Sequence, residues 1–339
     1  MEKPYATVIV TAYGRTKYVY EALQSVLSQT LDRKMYEIIV VTDFEMDPGF
    51  ISKNNISAVR CERKELGTKI AIALDMARGD IMAILEDDDL WEANKLESIV
   101  DIFQSMPEVG FVHNWMRMIG AEGEDIQTSF QDHTTRKMKT AGPYLLDASK
   151  LTYGRARRGI AFAMDYYSSS ISFRKSIIMG NLNALNEIST STDVFCFYSC
   201  LMGGHHLLAL PEMLTRYRIH ATNLSLGTGD EQKFISRKRE YALEVLKDYS
   251  KLRSLASISG KKVVVKLIDW RLSATKLETI WFSNKFSRLR LLHETLSYSR
   301  YLSAGQLKYD AKVIAYSFLL LVNSKLARNT YISKYYERH

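Results

Sequence analysis

Cysteine, proline and glycine are all scarce in this chain of 339 residues, which contains 3, 5 and 17 of them. So little Gly and Pro excludes a collagenous or low-complexity tract. The cysteines, Cys61, Cys196 and Cys200, are odd in number and their spacings form no zinc set. Neither a disulfide scaffold nor a structural metal knot is supported, and a reducing compartment is the simpler reading. No run reaches the ~18 uninterrupted apolar residues of a spanning helix; the nearest, Val313 to Val322, is broken by Tyr316 and Ser317. Met1 to Pro4 leads almost directly into the apolar Tyr5 to Thr11, without the charged and then long apolar stretch of a signal peptide. The expectation is a cytoplasmic protein, either soluble or peripheral on the inner membrane face.

The chain is 46% hydrophobic, 25% charged and 11% aromatic, enough to fold as one large domain or two ordinary ones. Its net charge of +8 is unevenly spread: residues 231 to 339 hold 22 Lys+Arg against 9 Asp+Glu, or +13, which leaves −5 for residues 1 to 230. An acidic front calls for a cation and a basic back for an anionic surface.

The first 115 residues alternate β-branched runs with amphipathic stretches, the signature of a mostly parallel sheet covered by helices. Strands are expected at Thr7 to Thr11, Glu37 to Thr42, Ala58 to Cys61, Ile81 to Leu85 and Gly110 to Asn114. Helices are expected at Lys17 to Gln29, Thr68 to Ala77 and Trp91 to Met106, giving the opening order β-α-β-β-α-β. From Gly120 to Gly159 periodicity fades into a polar segment, longer than most connections. It returns at Tyr167 to Arg174, at a helix from about Asp193 to Met202, and at a strand pair either side of Pro211 running through Tyr217; after about Gly229 the pattern is helical, with breaks near Gly260, Asn284 and Gly305.

Glu86-Asp87-Asp88-Asp89 follows the apolar strand Ile81 to Leu85. Four consecutive acids repel one another, and the carboxyl end of a parallel strand is where open α/β sheets bind ligands. A hard divalent ion such as Mg²⁺ or Mn²⁺, which takes oxygen ligands and holds substrate phosphates, suits the cluster. A solvated acidic turn at the start of the next helix explains it equally well.

Thr7 to Tyr13, Ile38 to Asp43, Ala77 to Asp80, Leu85 to Trp91, Thr192-Asp193 and Tyr217 to Ser225 together resemble the GT-A fold glycosyltransferases of family 2. The resemblance spans roughly the first two thirds of the chain, and the ordered succession is more specific than any one motif. It implies a GT-A catalytic domain over residues 1–229, with nucleotide-sugar binding in 1–115 and acceptor and catalytic functions in 116–229. A basic helical region over 230–339 follows. The acid cluster then corresponds to the DXD motif, with Asp88 as metal ligand and Glu86 and Asp87 nearer the ribose. Thr11, Tyr13 and Asp43 fall where relatives hold the nucleotide base: a Tyr offers a stacking face and an Asp accepts a base N–H. Packing of Tyr13 in the core and capping by Asp43 are the bland alternatives.

In the family, the position of Asp193 is the catalytic base; an ordinary helix cap is its structural alternative. A base there deprotonates the acceptor hydroxyl as it attacks the anomeric carbon, which implies inversion. Arg218 and His220 lie in the family's late RxH element, with His220 on the metal or diphosphate. Three departures stand out. Glu86 replaces the usual first Asp, Gly14 the common Asn, and Ile70-Ala71 an Arg-Asn pair, so that Lys69 is a weak candidate for the phosphates.

The implied function is a metal-dependent, inverting glycosyltransferase of the hexosyltransferase type. It uses Mn²⁺ or Mg²⁺, a nucleotide-diphosphate sugar, and a glycan or lipid-linked acceptor. A sugar-nucleotidyltransferase, which needs a Gly-rich loop where Thr11 to Lys17 has only Gly14, and a degenerate membrane-associated scaffold are the alternatives. For the basic tail, with Trp270, Trp281 and Phe282, the readings are an anionic membrane surface, a solvated face, and a homodimer or closing wall of helices. No motif supports nucleic acid.

Overall fold

The computed structural model describes residues 3–126, 142–220, 231–283 and 285–336, together with Thr135, Met138 and Thr140. The chain forms two compact units; the first is Met1–Ile126, Thr134–Lys150 and Phe162–Arg218, and the second includes Leu151–Ala161 and Ile219–His339.

In chain order the elements begin β1 (Ala6–Thr11), α1 (Val19–Leu27), β2 (Tyr36–Thr42), α2 (Pro48–Lys53), β3 (Ile56–Arg60), α3 (Leu66–Met76), β4 (Ile81–Glu86), β5 (Leu90–Trp91), α4 (Lys95–Ser105), β6 (Val109–Ile119) and β7 (Tyr144–Leu146). They continue with α5 (Tyr153–Ala161), β8 (Ile171–Arg174), α6 (Ser176–Met179), α7 (Leu182–Leu185), α8 (Thr192–Gly203) and β9 (His206–Arg218). The last helices are α9 (Glu231–Ile258), α10 (Lys262–Trp281), α11 (Arg288–Tyr298), α12 (Leu307–Val322) and α13 (Ser324–Tyr336).

Among the described residues, one sheet of nine strands runs β3-β2-β1-β4-β8-β6-β9-β5, with β7 on β9. β1 is parallel to both β2 and β4, whereas β8 is antiparallel to β4 and β6. Val8, Val10, Ile38, Val40, Ile81 and Leu85 pack against Leu23 and Val26 of α1 and Leu96, Ile99 and Phe103 of α4. The largely apolar runs of β1, β2 and β4 reflect burial on both faces. Because the chain leaves β1 for β2 on one side and returns to β4 on the other, the carboxyl ends of β1 and β4 flank a topological switch point.

Three expectations are corrected. A helix, α2, lies between β2 and β3; Asp47 caps it by accepting from Gly49 N–H, and Pro48 begins it. The fourth helix starts at Lys95 rather than Trp91, because Leu90 and Trp91 pair with Arg216 and Thr215 as β5. The two strands about Pro211 are one, β9, whose pairing with β6 slips in register beside Leu210 and Met213. A bulge accommodates the missing proline N–H without ending the strand.

The second unit is helical and has its own interior. The Arg157 guanidinium meets the Asp310 carboxylate at 2.7 Å with both side chains fully buried. Tyr298 Oη and Ser303 N–H also donate to that carboxylate, at 2.6 and 3.1 Å, and Trp270 Nε1 donates to Tyr298 Oη at 3.1 Å. Trp281 Nε1 donates to Ser317 Oγ, and Phe282 is buried near Phe234. Trp270, Trp281 and Phe282, expected as membrane-facing aromatics, therefore belong to the helical core. Among the described residues no helix is long and apolar enough to cross a membrane.

Candidate active site

The acid run forms a tight turn off the end of β4. Asp89 N–H donates to the Glu86 carbonyl, and Asp87 N–H to the Thr11 carbonyl at the end of β1. The serine turn before β8 braces it: Glu86 N–H donates to Ser169 Oγ at 3.0 Å, and the Ser169 carbonyl accepts from Trp91 Nε1 and Lys95 Nζ. One oxygen each of Glu86, Asp88 and Asp89 lies within 4.8 Å of the others, a grouping able to hold a metal ion.

The electrostatics express the crowding. Burial, then Asp88 and Asp193, push the Glu86 carboxyl up to about 8. Burial and Asp88 push Asp87 up to about 6 against the pull of Arg15, and burial, Asp88 and Glu86 raise Asp89 well above the usual carboxylate range. Such a cluster is relieved by a cation. The Asp87 Oδ2 atom is buried with no hydrogen-bond partner. Three hard oxygen donors fit a divalent ion of the Mg²⁺ or Mn²⁺ type.

Part of that cation is supplied by the chain itself. Arg15 donates to Asp87 and meets Asp88 at 3.0 Å. Sequence reasoning passed over Arg15; its only signal is one positive charge beside Gly14 at the end of β1. Asp89 and the serines were likewise missed as site residues, although the fourth acid of the run and Ser168-Ser169-Ser170 are visible in the sequence.

The remaining candidates divide between shelf and brace. Tyr13 is 48% exposed, so it is not a core residue, and Lys69 Nζ lies 5.1 Å from its ring centroid. Lys69 is buried and donates to the carbonyls of Cys61 and Arg63, which ties the Tyr13 shelf to the end of β3. Gly14 has φ +65°, and its N–H donates to Asp43 Oδ1 at 2.9 Å. Glycine takes this left-handed conformation without cost and asparagine tolerates it, which accounts for one in place of the other. Thr11 is buried and its Oγ1 has no partner. Arg218 is fully buried; it donates to the Asp88 and Ala121 carbonyls and to Glu21, and its N–H donates to Asp89 Oδ1. Its geometry is that of a brace behind the acid turn.

Asp193 lies in the first turn of α8, whose N-cap is Ser191, so it is not the cap itself. Its Oδ1 accepts from Val194 N–H at 2.8 Å, and its charge acts on Glu86 and on Tyr167. Tyr167 has φ +67° and packs edge-on against Tyr217 at 5.2 Å; burial first, with Asp193 and Asp89 among the other causes, pushes its phenol up to about 12. His220 is half-buried just past β9, in the second unit, and is not among the three grouped carboxylates. The Ala221 to Ser225 part of the late element lies outside the described residues.

Comparison with known proteins agrees with this architecture. The family model "Glycosyl transferase family 2" matches residues 7–164. An uncharacterized glycosyltransferase of Nostoc sp. is 23% identical over 72% of this chain and 73% of its own, and one from Haemophilus influenzae is 21% identical over 69% and 72%. Among solved structures, Staphylococcus aureus TarS 1-349 in complex with UDP-GlcNAc aligns with a TM-score of 0.51 at 14% identity, covering 91% of this chain and 90% of that one. The mannosyltransferase PcManGT from Pyrobaculum calidifontis, in complex with GDP-Man and Mn²⁺, aligns with a TM-score of 0.50 at 16% identity over 96% and 88%. The fold is GT-A, followed by helices, and residues 7–164, a little under half of the chain, are similar to glycosyltransferase family 2.

Proposed function

We propose that the protein is an inverting, metal-dependent hexosyltransferase that moves a sugar from a nucleotide-diphosphate donor to a hydroxyl of a glycan or lipid-linked acceptor. The observation that carries the reading is the meeting of two charge systems, the grouped carboxylates of Glu86, Asp88 and Asp89 and the separate carboxylate of Asp193, whose charge reaches Glu86. Glu86, Asp88 and Asp89 hold the Mn²⁺ or Mg²⁺, which when bound neutralises charge on the leaving diphosphate. Tyr13 stacks on the base, Asp43 and Thr11 offer it hydrogen bonds, and Asp87 lies toward the ribose. Lys69 and Arg218 keep the shelf and the acid turn in position. His220 enters as a further ligand through the resemblance of its segment alone. Asp193 takes the proton from the acceptor hydroxyl as that oxygen attacks the anomeric carbon, and a single base on that side gives inversion. For the basic helical unit we propose an anionic membrane surface as partner, on the cytoplasmic side.

Calorimetric titration with UDP and GDP, with and without Mn²⁺, tests the donor site. Binding should require the ion, and Asp88→Asn should weaken it, because the amide removes one negative charge from the ligand set. Asp193→Asn should leave donor binding nearly intact while transfer falls about 10²-fold or more, as for loss of a general base. Asn keeps an oxygen for the Val194 N–H that Asp193 Oδ1 accepts, so this variant preserves the helix end while removing the base. Transfer within a few-fold of the unaltered protein would remove Asp193 from the chemistry. Failure to bind any nucleotide diphosphate with Mn²⁺ would favour a non-catalytic scaffold.

A further inference from the structure

The helical unit shows apolar side chains that its own interior does not use. α11 buries Leu291, Thr295 and Tyr298, whereas Leu289, Leu292 and Leu296 are 80%, 37% and 58% exposed. At about 100° per residue these three leucines fall within an arc of roughly 60°, set apart from the buried face. Arg288 and His293, both exposed, flank the arc, and Arg290, Arg300 and Lys285 are exposed nearby in the sequence. In α12, Ala311, Ala315, Phe318 and Val322 repeat the pattern of exposed apolar residues at helical spacing, while Val313, Ser317 and Leu320 point inward.

The charge along these helices is predominantly basic. Residues 285–336 carry nine Lys+Arg and two acids, Glu294 and Asp310, and Asp310 is buried on Arg157. Within this stretch Glu294 alone is left to offset the exposed cations. An aliphatic stripe rimmed by Arg and Lys on a helix too short to span is the composition of an interfacial helix. It also disfavours a second copy as the occupant. A two-fold contact would set the basic rim of one face against the same rim of the other, with almost no acid to answer it.

We infer that the outward face of α11 is the surface that lies on anionic lipid, Leu289, Leu292 and Leu296 entering the acyl boundary while Arg288, Arg290, Arg300 and Lys285 meet headgroup phosphates. This rests on the membrane reading of the basic unit and assigns that reading to one helix face. The buried tryptophans of the unit take no part.

Flotation of the full chain with vesicles tests it. Binding is expected to phosphatidylcholine vesicles containing about a third phosphatidylglycerol, not to phosphatidylcholine alone, and to weaken with salt. The variant Leu289→Ser/Leu292→Ser/Leu296→Ser should lose binding by about ten-fold or more. Arg288→Gln/Arg290→Gln should lose about five-fold per charge and become less salt-sensitive. Leu292→Trp supplies a measurement that does not depend on the triple variant folding: its fluorescence should shift to the blue with anionic vesicles and be quenched by brominated acyl chains. If the triple serine variant floats like the unaltered protein, or the Trp at position 292 stays in water, the face is wrong and the membrane reading stands. If the unaltered chain ignores anionic vesicles, both fall. A sedimenting dimer that the serine substitutions abolish would assign the face to a second copy and overturn the proposal. Mn²⁺-dependent nucleotide binding, measured alongside, reports on the donor site separately.

Discussion

Arg15 sits among the carboxylates proposed to hold the metal. Its guanidinium holds Asp87 and Asp88 together, so any divalent ion that uses Asp88 must share or displace it. Displacing the guanidinium breaks its contacts with both carboxylates, which weighs against a competing cation. Arg15→Ala should therefore raise the affinity for free Mn²⁺ by about ten-fold, one charge interaction of about 1.4 kcal/mol, as read by electron paramagnetic resonance of unbound Mn²⁺. The metal-free variant should melt a few degrees lower, because Asp87 and Asp88 lose their counterion. Weaker Mn²⁺ binding in Arg15→Ala would mean that the guanidinium supports the ligand set instead of competing with it. This residue shows why part of the site was not legible. The four acids announced themselves by adjacency, as did the Tyr13 and Asp43 strand ends by their place after apolar runs. Arg15 lies 72 positions from Asp87, and nothing along the chain marks a charge pair closed by folding. Arg218 was legible as a site residue, but its brace contacts to Asp88, Ala121 and Glu21 depend on tertiary structure.

At the scale of elements, legibility followed the number of faces buried. β1, β2 and β4 are largely apolar because both faces are covered, and their expected positions agree with the structure to within a residue. α2 was missed because none of its residues is buried, leaving no apolar period to read; Asp47-Pro48 was the sole signal. β5 was read as helix because two residues carry no period and its pairing partner lies in β9. The polar stretch containing Arg157 looked like a loop, yet α5 carries that arginine into the helical interior. Such a pair adds little against an apolar replacement of both partners but is costly to break singly. Arg157→Met should thus leave Asp310 buried with Tyr298 and Ser303 but without a countercharge, destabilising the helical unit by about 3–5 kcal/mol in chemical denaturation. A loss below about 1 kcal/mol, the range of exposed ion pairs, would show that the carboxylate takes up a proton or reaches water in the variant.

For the molecule as a whole, opposing titrations set stability against pH. Glu86, Asp87 and Asp89 have raised folded-state values; groups of that kind contribute stability at low pH that is lost as pH rises through the folded value. His113 acts the other way. It is buried in β6 with its ring Nε2 at 3.1 Å from the Tyr166 carbonyl, and burial, with a smaller contribution from Lys95, lowers it to about 3. The unfolded chain takes up this proton near the ordinary histidine value of about 6.5, while the folded chain refuses it down to about 3. His113 therefore costs nothing above about pH 7 and withdraws stability progressively as pH falls from about 6.5 toward the folded value. His113→Gln keeps a donor for Tyr166 and removes the titration. Since the acid cluster is common to both proteins, it cancels when their stabilities are subtracted at each pH. The variant should gain on the unaltered protein by about 2 kcal/mol between pH 7 and pH 5, measured by urea denaturation in the presence of a chelator. A difference that stays flat across this range would show that His113 takes up its proton as readily in the folded chain as in the unfolded one, and with it that the interior of β6 is more polar than its burial implies.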